Sequence, residues 1–200
     1  MKKHLNYFSE KEARHIENFK NGRTKWLNPL ARSIAKMGIT ADMVSILGFV
    51  MVFGFVYFVE RNPYAAMVLL LLHVMIDGLD GPVARVTGKA GNRGALLDIM
   101  CDHTGIVAAT AGLVYYGLVN GVVGLAYIYI YTIMIVFTIV RNVMRISPKI
   151  VVRTKYYIYI LFAVYVFTGM NYLDGAMLLF SAIMLVSVLN DFFAIRKKLK

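Results

Sequence analysis

Asp77-Gly78-Leu79-Asp80-Gly81-Pro82-Val83-Ala84-Arg85 and, after eight further residues, Gly94-Ala95-Leu96-Leu97-Asp98-Ile99-Met100-Cys101-Asp102 form the stretch on which the fold turns. It sets four carboxylates into a chain that is 59% hydrophobic and carries a formal net charge of +11. The first pair of acids closes one long apolar run and the second pair opens the next, so all four stand at or inside a membrane boundary. Ionisable groups at that depth are costly and mark function. A solvated cluster of loop charges is the plainer explanation, and the flanking apolar runs weigh against it.

A bilayer-crossing helix needs about 20 apolar residues. Six candidates occupy roughly residues 41–60, 64–84, 94–117, 121–145, 154–171 and 174–194, in keeping with a mean hydropathy of +0.64. The third and fourth are separated only by Leu118-Val119-Asn120, a tight turn. Ahead of them, Asn28-Pro29 reads as an N-cap followed by proline at the first helical position, and Gly38 as the residue just past the helix end. Between them Leu30, Ile34 and Met37 share one face while Arg32 and Lys36 point away, the pattern of an amphipathic helix lying in the membrane interface. Residues 1–26 are polar and read as a surface helix or a flexible lead. The expected fold is all-α: a polytopic membrane protein of six transmembrane helices plus the N-terminal amphipathic helix. Its expected parts are a cytoplasmic segment (1–40), a transmembrane catalytic domain (41–195) and a basic cytoplasmic tail (196–200).

The charge pattern orients the spans. Lys and Arg number nine up to residue 40, three over 85–93, five over 141–155 and four over 196–200, leaving only Arg61 for the opposite side. With six spans, this asymmetry puts both termini and the acidic segment in the cytoplasm of a cell-membrane protein. The basic excess does not point to nucleic acid. It clusters beside apolar segments, as suits anionic headgroups or phosphorylated substrates. A single cysteine excludes an internal disulfide and a cysteine-rich zinc site. The first residues do not read as a signal peptide, because no apolar stretch follows their charges.

Residues three and four apart share a helix face, so Asp77, Asp80, Gly81 and Ala84 form one stripe and Gly94, Asp98 and Asp102 another. The helices that carry them are antiparallel neighbours joined by the short loop from Val86 to Arg93, and the two stripes can face each other. Four carboxylates at close range repel unless something positive lies among them. Ligands that are all oxygen suit hard divalent ions, Mg²⁺ or Mn²⁺, and a pair of such ions can clamp a diphosphate. Gly81 and Ala84 leave the helix surface bare for a base and its phosphates, and Arg85 can grip a phosphate oxygen.

The spacing Asp-x₂-Asp-Gly-x₂-Ala-Arg-x₈-Gly-x₃-Asp-x₃-Asp resembles the signature of the CDP-alcohol phosphotransferase family, with every fixed position matched. The resemblance implies transfer of a substituted phosphate from a CDP-linked lipid donor, CDP-diacylglycerol or an ether-lipid analogue, to a small polar alcohol, with release of CMP. It implies that Asp77, Asp80 and Asp98 bind two Mg²⁺ or Mn²⁺ ions, and that Asp102 is the general base and also touches a metal. Gly81, Ala84 and Arg85 would line the CDP site. The segment Ile39-Thr40-Ala41-Asp42-Met43-Val44-Ser45 is similar to the stretch before the first span in many members, with Ala41 in place of the usual proline. This adds Asp42 and Ser45 to the nucleotide pocket. Family members are generally homodimers, and the same is expected here.

The lead segment Leu27-Asn28-Pro29-Leu30-Ala31-Arg32 with Gly38-Ile39-Thr40 is similar to that of phosphatidylinositol-phosphate synthases and their archaeal counterparts. With the basic residues Arg141, Arg145, Arg153 and Lys155, it points to a phosphorylated acceptor, inositol phosphate or glycerol 3-phosphate. The plainer role for those four residues is anchoring at the cytoplasmic face. Alternatives within the family are serine or another non-phosphorylated acceptor, or an aminoalcohol phosphotransferase using CDP-choline or CDP-ethanolamine. A different class, a divalent-cation transporter, places its acids near the midplane and has no evident need for Arg85.

His73, one turn before Asp77, reads as a satisfied core group rather than a ligand-orienting donor. Tyr127, Tyr129 and Tyr131 read as packing or interface residues, and Cys101 as a small packing residue beside the acidic stripe. Asp174 and Asp191 read as solvated ends of the last span. His103 stands where many relatives carry a basic residue. Pro82 removes a helical N–H and should bend the second span near the site.

Overall fold

A computed structural model of the chain describes residues 27–144, 146 and 154–199, and all regular structure among them is helical. A helix over residues 27–36 (α1) precedes α2 (Ala41–Phe58), α3 (Pro63–Asp77), α4 (Asp80–Val86), α5 (Asn92–Tyr115), α6 (Gly121–Val143), α7 (Lys155–Thr168) and α8 (Leu173–Lys198). The polar lead over 1–26, Arg145 and Arg153 fall outside the described residues.

The helix ends follow from local chemistry. Thr40 Oγ1 accepts from the Met43 N–H at 3.3 Å to open α2. Asn62 Oδ1 accepts from the Ala65 N–H at 3.1 Å ahead of Pro63 in α3, and Asn120 Oδ1 accepts from the Val122 N–H at 2.9 Å in α6. Past the end of α1, Gly38 takes φ 79°, and the Gly38 and Ile39 N–H groups donate back to Ala35 at 3.0 Å and Ile34 at 3.3 Å. A glycine meets that left-handed turn without steric cost. The start of α1 differs from the expectation, because residues 27 and 28 are already helical. A proline in the first turn is tolerated after the helix has begun, so Pro29 does not define the start.

Among the described residues, five stretches are long and apolar enough to cross a membrane: Ala41–Phe58, Pro63–Val86, Arg93–Tyr115, Gly121–Arg141 and Leu173–Lys198. The expected span over 154–171 is instead the 14-residue helix α7. At 1.5 Å per residue it measures about 21 Å, less than the ~30 Å hydrocarbon thickness. The second stretch is broken at Gly78-Leu79, between α3 and α4. Pro82 has no N–H to offer the Gly78 carbonyl and its ring would crowd that oxygen in a continuous helix. The Leu79 N–H turns instead to Ile76 O at 2.9 Å. The bend expected from Pro82 is therefore an interruption four residues upstream of it, and it separates Asp77 from Asp80.

Helix α2 joins the two acid-bearing arms. A Cβ placed on Gly48 would meet His73 Nδ1 and Ile76 Cγ2 at 3.5 Å, and one on Gly54 would meet Leu69 Cδ1 at 3.0 Å, so α2 runs close against α3 and antiparallel to it. On its other side a Cβ placed on Gly105 would meet Val52 Cγ2 at 3.5 Å and one on Gly112 would meet Val56 Cγ2 at 3.0 Å, which makes α2 and α5 parallel. Helices α6 and α8 form the second extensive contact, and α7 closes the bundle against α3 and α8. A core that includes Val52, Phe55, Leu70, Ile106, Leu113 and Phe162 fills the centre. Ala31 of α1 is fully buried and packs with Val44 and Val83, while Leu30 and Met37 point outward, 49% and 75% exposed. Ala31 with Ile34 is thus the docking face of α1, and the Leu30–Met37 side is free of the bundle.

Candidate active site

The end of the bundle where α2, α5 and α7 begin and α3 ends gathers the acids. One carboxylate oxygen from each of Asp77, Asp98 and Asp102 lies within 4.8 Å of the others. The break at Gly78-Leu79 turns Asp80 out of line with Asp77, and its Oδ2 accepts from Ser45 Oγ at 3.0 Å. Its carboxyl also lies in contact with that of Asp98, as Asp77 does with Asp102. The two acidic stripes therefore do converge, with α2 as the spacer that sets their separation. Carboxylate oxygens so close, with neither a thiolate nor an imidazole in the group of three, make a donor set fitted to a hard divalent cation.

Lys155, the first residue of α7, enters the same cluster. It is only 7% exposed. Its Nζ donates to Asp102 Oδ1 at 2.6 Å and to Asp77 Oδ2 at 3.1 Å. The Tyr156 hydroxyl donates to Asp77 Oδ2 at 3.4 Å. Behind the lysine, Thr154 is fully buried and its Oγ1 lies 2.6 Å from the Tyr127 hydroxyl, which ties the start of α7 to α6. Sequence reasoning grouped Lys155 with the other basic residues of 141–155 and missed this placement. The available signal was a lysine opening an apolar helix, which reads equally well as a membrane anchor.

Of the residues expected at the nucleotide, Ser45 reaches Asp80, and Asp42 Oδ1 lies 3.9 Å from where a Cβ on Gly94 would stand. The start of α2 is thus folded onto the acidic end of both arms. The surface at Gly81 is not bare. Arg85, one turn on, folds back so that its Nη1 lies 3.3 Å from a Cβ placed on Gly81, a position that opens because glycine carries no side chain.

Arg141 is brought elsewhere. It is buried at 3% exposure and ion-paired with Asp191 of α8, itself 4% exposed. Asp191 is therefore no solvated helix end. An arginine and an aspartate on neighbouring helices meet inside the bundle, where each charge needs the other. Asp174 sits at the opposite end and accepts from the Asn120 N–H at 2.8 Å, fastening the turn between α5 and α6. His73, 4% exposed, is 2.9 Å from Gly48 O through Nδ1, a satisfied core group that pins α3 to α2. Tyr127 and Tyr131 are buried, while Tyr129 is 67% exposed. His103 turns away from the acids, with Nε2 2.9 Å from Thr132 Oγ1 and its ring stacked on Tyr131. Cys101 is a free, partly exposed thiol.

Residues 38–193 match the CDP-alcohol phosphatidyltransferase family. Over 95 residues the chain is 32% identical to the archaetidylinositol phosphate synthase of Pyrococcus horikoshii, a stretch that makes up 47% of this chain and 50% of that protein. Over 94 residues it is 35% identical to the phosphatidylinositol phosphate synthase of Mycobacteroides abscessus, covering 46% of this chain and 43% of that one. The matched stretch spans half or less of either relative. The fold is similar to that of Mycobacterium tuberculosis phosphatidylinositol phosphate synthase with CDP-DAG bound, with a TM-score of 0.71 at 20% identity, over 84% of this chain and 92% of that one. The same protein in complex with manganese and citrate also gives 0.71, over 84% and 88%.

Proposed function

The chain belongs to the CDP-alcohol phosphatidyltransferase family, and from that premise we propose that it moves a phosphatidyl group, or its ether-lipid counterpart, from a CDP-linked lipid to a phosphorylated alcohol. The observation that carries this reading is the convergence of Asp77, Asp98 and Asp102 at one end of the bundle. Inositol phosphate is the favoured acceptor, in line with the activities for which both sequence relatives are named, and glycerol 3-phosphate is the second choice.

Asp77, Asp80, Asp98 and Asp102 would hold two Mg²⁺ or Mn²⁺ ions, and that pair would supply charge neutralisation for the diphosphate and the departing phosphate. Asp102 is the base. Its side chain is 32% exposed against 16% for Asp77, which makes it the more accessible of the two to an acceptor hydroxyl. It takes the proton of the acceptor hydroxyl as that oxygen attacks the phosphorus bearing the lipid, and the phosphorus–oxygen bond to CMP breaks. Arg85, with Gly81 and Ala84 beneath it, grips the nucleotide phosphates, and Asp42 and Ser45 close the pocket from α2. Arg145, Arg153 and Lys155 would supply positive charge for the acceptor phosphate. Arg141, engaged by Asp191, joins α6 to α8.

The protein would sit in the membrane through six spans, with the short α7 as the fifth and the exposed Leu30–Met37 side of α1 in the interface. Of the described basic residues, Arg61 stands alone at the end opposite the acids, where Nη1 donates to Tyr57 O at 2.9 Å. That asymmetry supports a cytoplasmic active site and cytoplasmic termini. A catalytic unit over 41–195, flanked by the segment 1–40 and the tail 196–200, and a homodimeric assembly complete the proposal. Purified protein supplied with CDP-diacylglycerol, Mn²⁺ or Mg²⁺ and a panel of acceptors tests it: CMP should appear with inositol phosphate and not with serine. Absence of CMP with every acceptor sinks the reading.

A further inference from the structure

We infer that Lys155 is a built-in rival of the divalent cation, and that its ammonium must leave Asp77 and Asp102 before an ion can be held there. The inference rests on the metal-dependent reading above and adds a residue that antagonises it. Two of the three carboxylates that can converge on an ion are the two that Lys155 bonds, at 3.1 and 2.6 Å. An ammonium and a divalent ion on the same pair of acids repel, and with Lys155 only 7% exposed, little water is present to screen them.

The surroundings decide which way the lysine moves. On its bundle side lies a cavity of about 10 Å³, lined by Thr110, Tyr127, Tyr159 and apolar side chains. That is room for about one water and no refuge for a charged group. The backbone of α7 is held by the contact of Thr154 with Tyr127 and stays in place. Lys155 therefore swings on its flexible stem away from that cavity, and can return. While it lies among the acids it supplies the positive charge that keeps α3, α5 and α7 together. When it leaves, Asp102 is released to take a proton from the acceptor.

The test uses the full chain in nanodiscs, with Mn²⁺ as the probe and free Mn²⁺ read by electron paramagnetic resonance. Lys155→Met should bind Mn²⁺ about ten- to a hundredfold more tightly than the unmodified protein, while Lys155→Arg, which keeps the charge, should stay within about threefold of it. After chelation, Lys155→Met should melt at a lower temperature than the unmodified protein and regain its stability with Mn²⁺. If Lys155→Met folds only with the ion, its rate of Mn²⁺ loss to a chelator is measured instead, and slower loss is expected. Unchanged or weaker Mn²⁺ binding, or unchanged or faster loss, overturns the rivalry and leaves the metal reading standing. No Mn²⁺ binding by the unmodified protein or either variant overturns the metal reading and this inference with it.

Discussion

Two ionic groups lie at the same end of this bundle, and they are built differently. Between α6 and α8 one arginine meets one aspartate, Arg141 and Asp191, 3% and 4% exposed. Among α3, α4, α5 and α7 four carboxylates gather, and Lys155 bonds two of them. The first group is balanced and joins two helices. The second gathers four carboxylates, three of them with oxygens within 4.8 Å of one another, an arrangement suited to a divalent cation from solution. The structural pair is a one-to-one match between two helices, whereas the candidate site gathers four carboxylates and is the more exposed of the two, Asp102 at 32%.

The widest separation between the two groups should come from chelation. Removing divalent ions should abolish CMP release, with recovery on adding Mn²⁺, because only the four-carboxylate site depends on them. Next, Asp102→Asn should lower kcat by about 10² to 10⁴, the usual contribution of a positioned general base, in a turnover assay at saturating donor and acceptor. At the balanced pair the effect should be on stability instead. Asp191→Ala removes the carboxylate that Arg141 is paired with and should cost about 3–5 kcal/mol, whereas the double change Arg141→Met with Asp191→Leu should be close to neutral. Denaturant unfolding in micelles would measure both. A double variant that is as unstable as the single one would break the comparison, because the pair would then be more than a joint.

Smaller effects sharpen the picture. Tyr127→Phe removes one buried hydrogen bond to Thr154 and should cost about 1 kcal/mol, with a further loss of turnover only if Lys155 placement depends on it. Gly81→Ala should change stability by less than about 0.5 kcal/mol. The atom its Cβ would meet is the flexible end of Arg85, at 3.3 Å. Its readout is the donor KM, which should rise if Arg85 is displaced from the nucleotide phosphates.

The acidic stripes were legible because helical spacing is local. Asp98 and Asp102 lie four apart and needed no knowledge of the rest of the chain. Asp77 and Asp80, three apart, were expected on one stripe, and the break at Gly78-Leu79 altered that relation while keeping both near the site. Pro82 announced a disturbance, but its position depended on which carbonyl lost its partner. Helix α7 was too short for its expected length because the apolar run at 154–171 ends in Gly169, whose φ of 73° stops the helix early.

Sequence by itself determined the helical class, most of the spans, the four acids and their spacing, since hydropathy and the 3.6-residue period act over neighbouring residues. Tertiary structure alone decided which cation meets which acid. Lys155 lies 78 and 53 residues from its partners, and Arg141 lies 50 from Asp191. Such pairings are set by how closely helices approach, here by Gly48, Gly54, Gly105 and Gly112 letting α2 pack tightly between α3 and α5. No local pattern records that geometry, so two basic residues from one charged segment came to do different work.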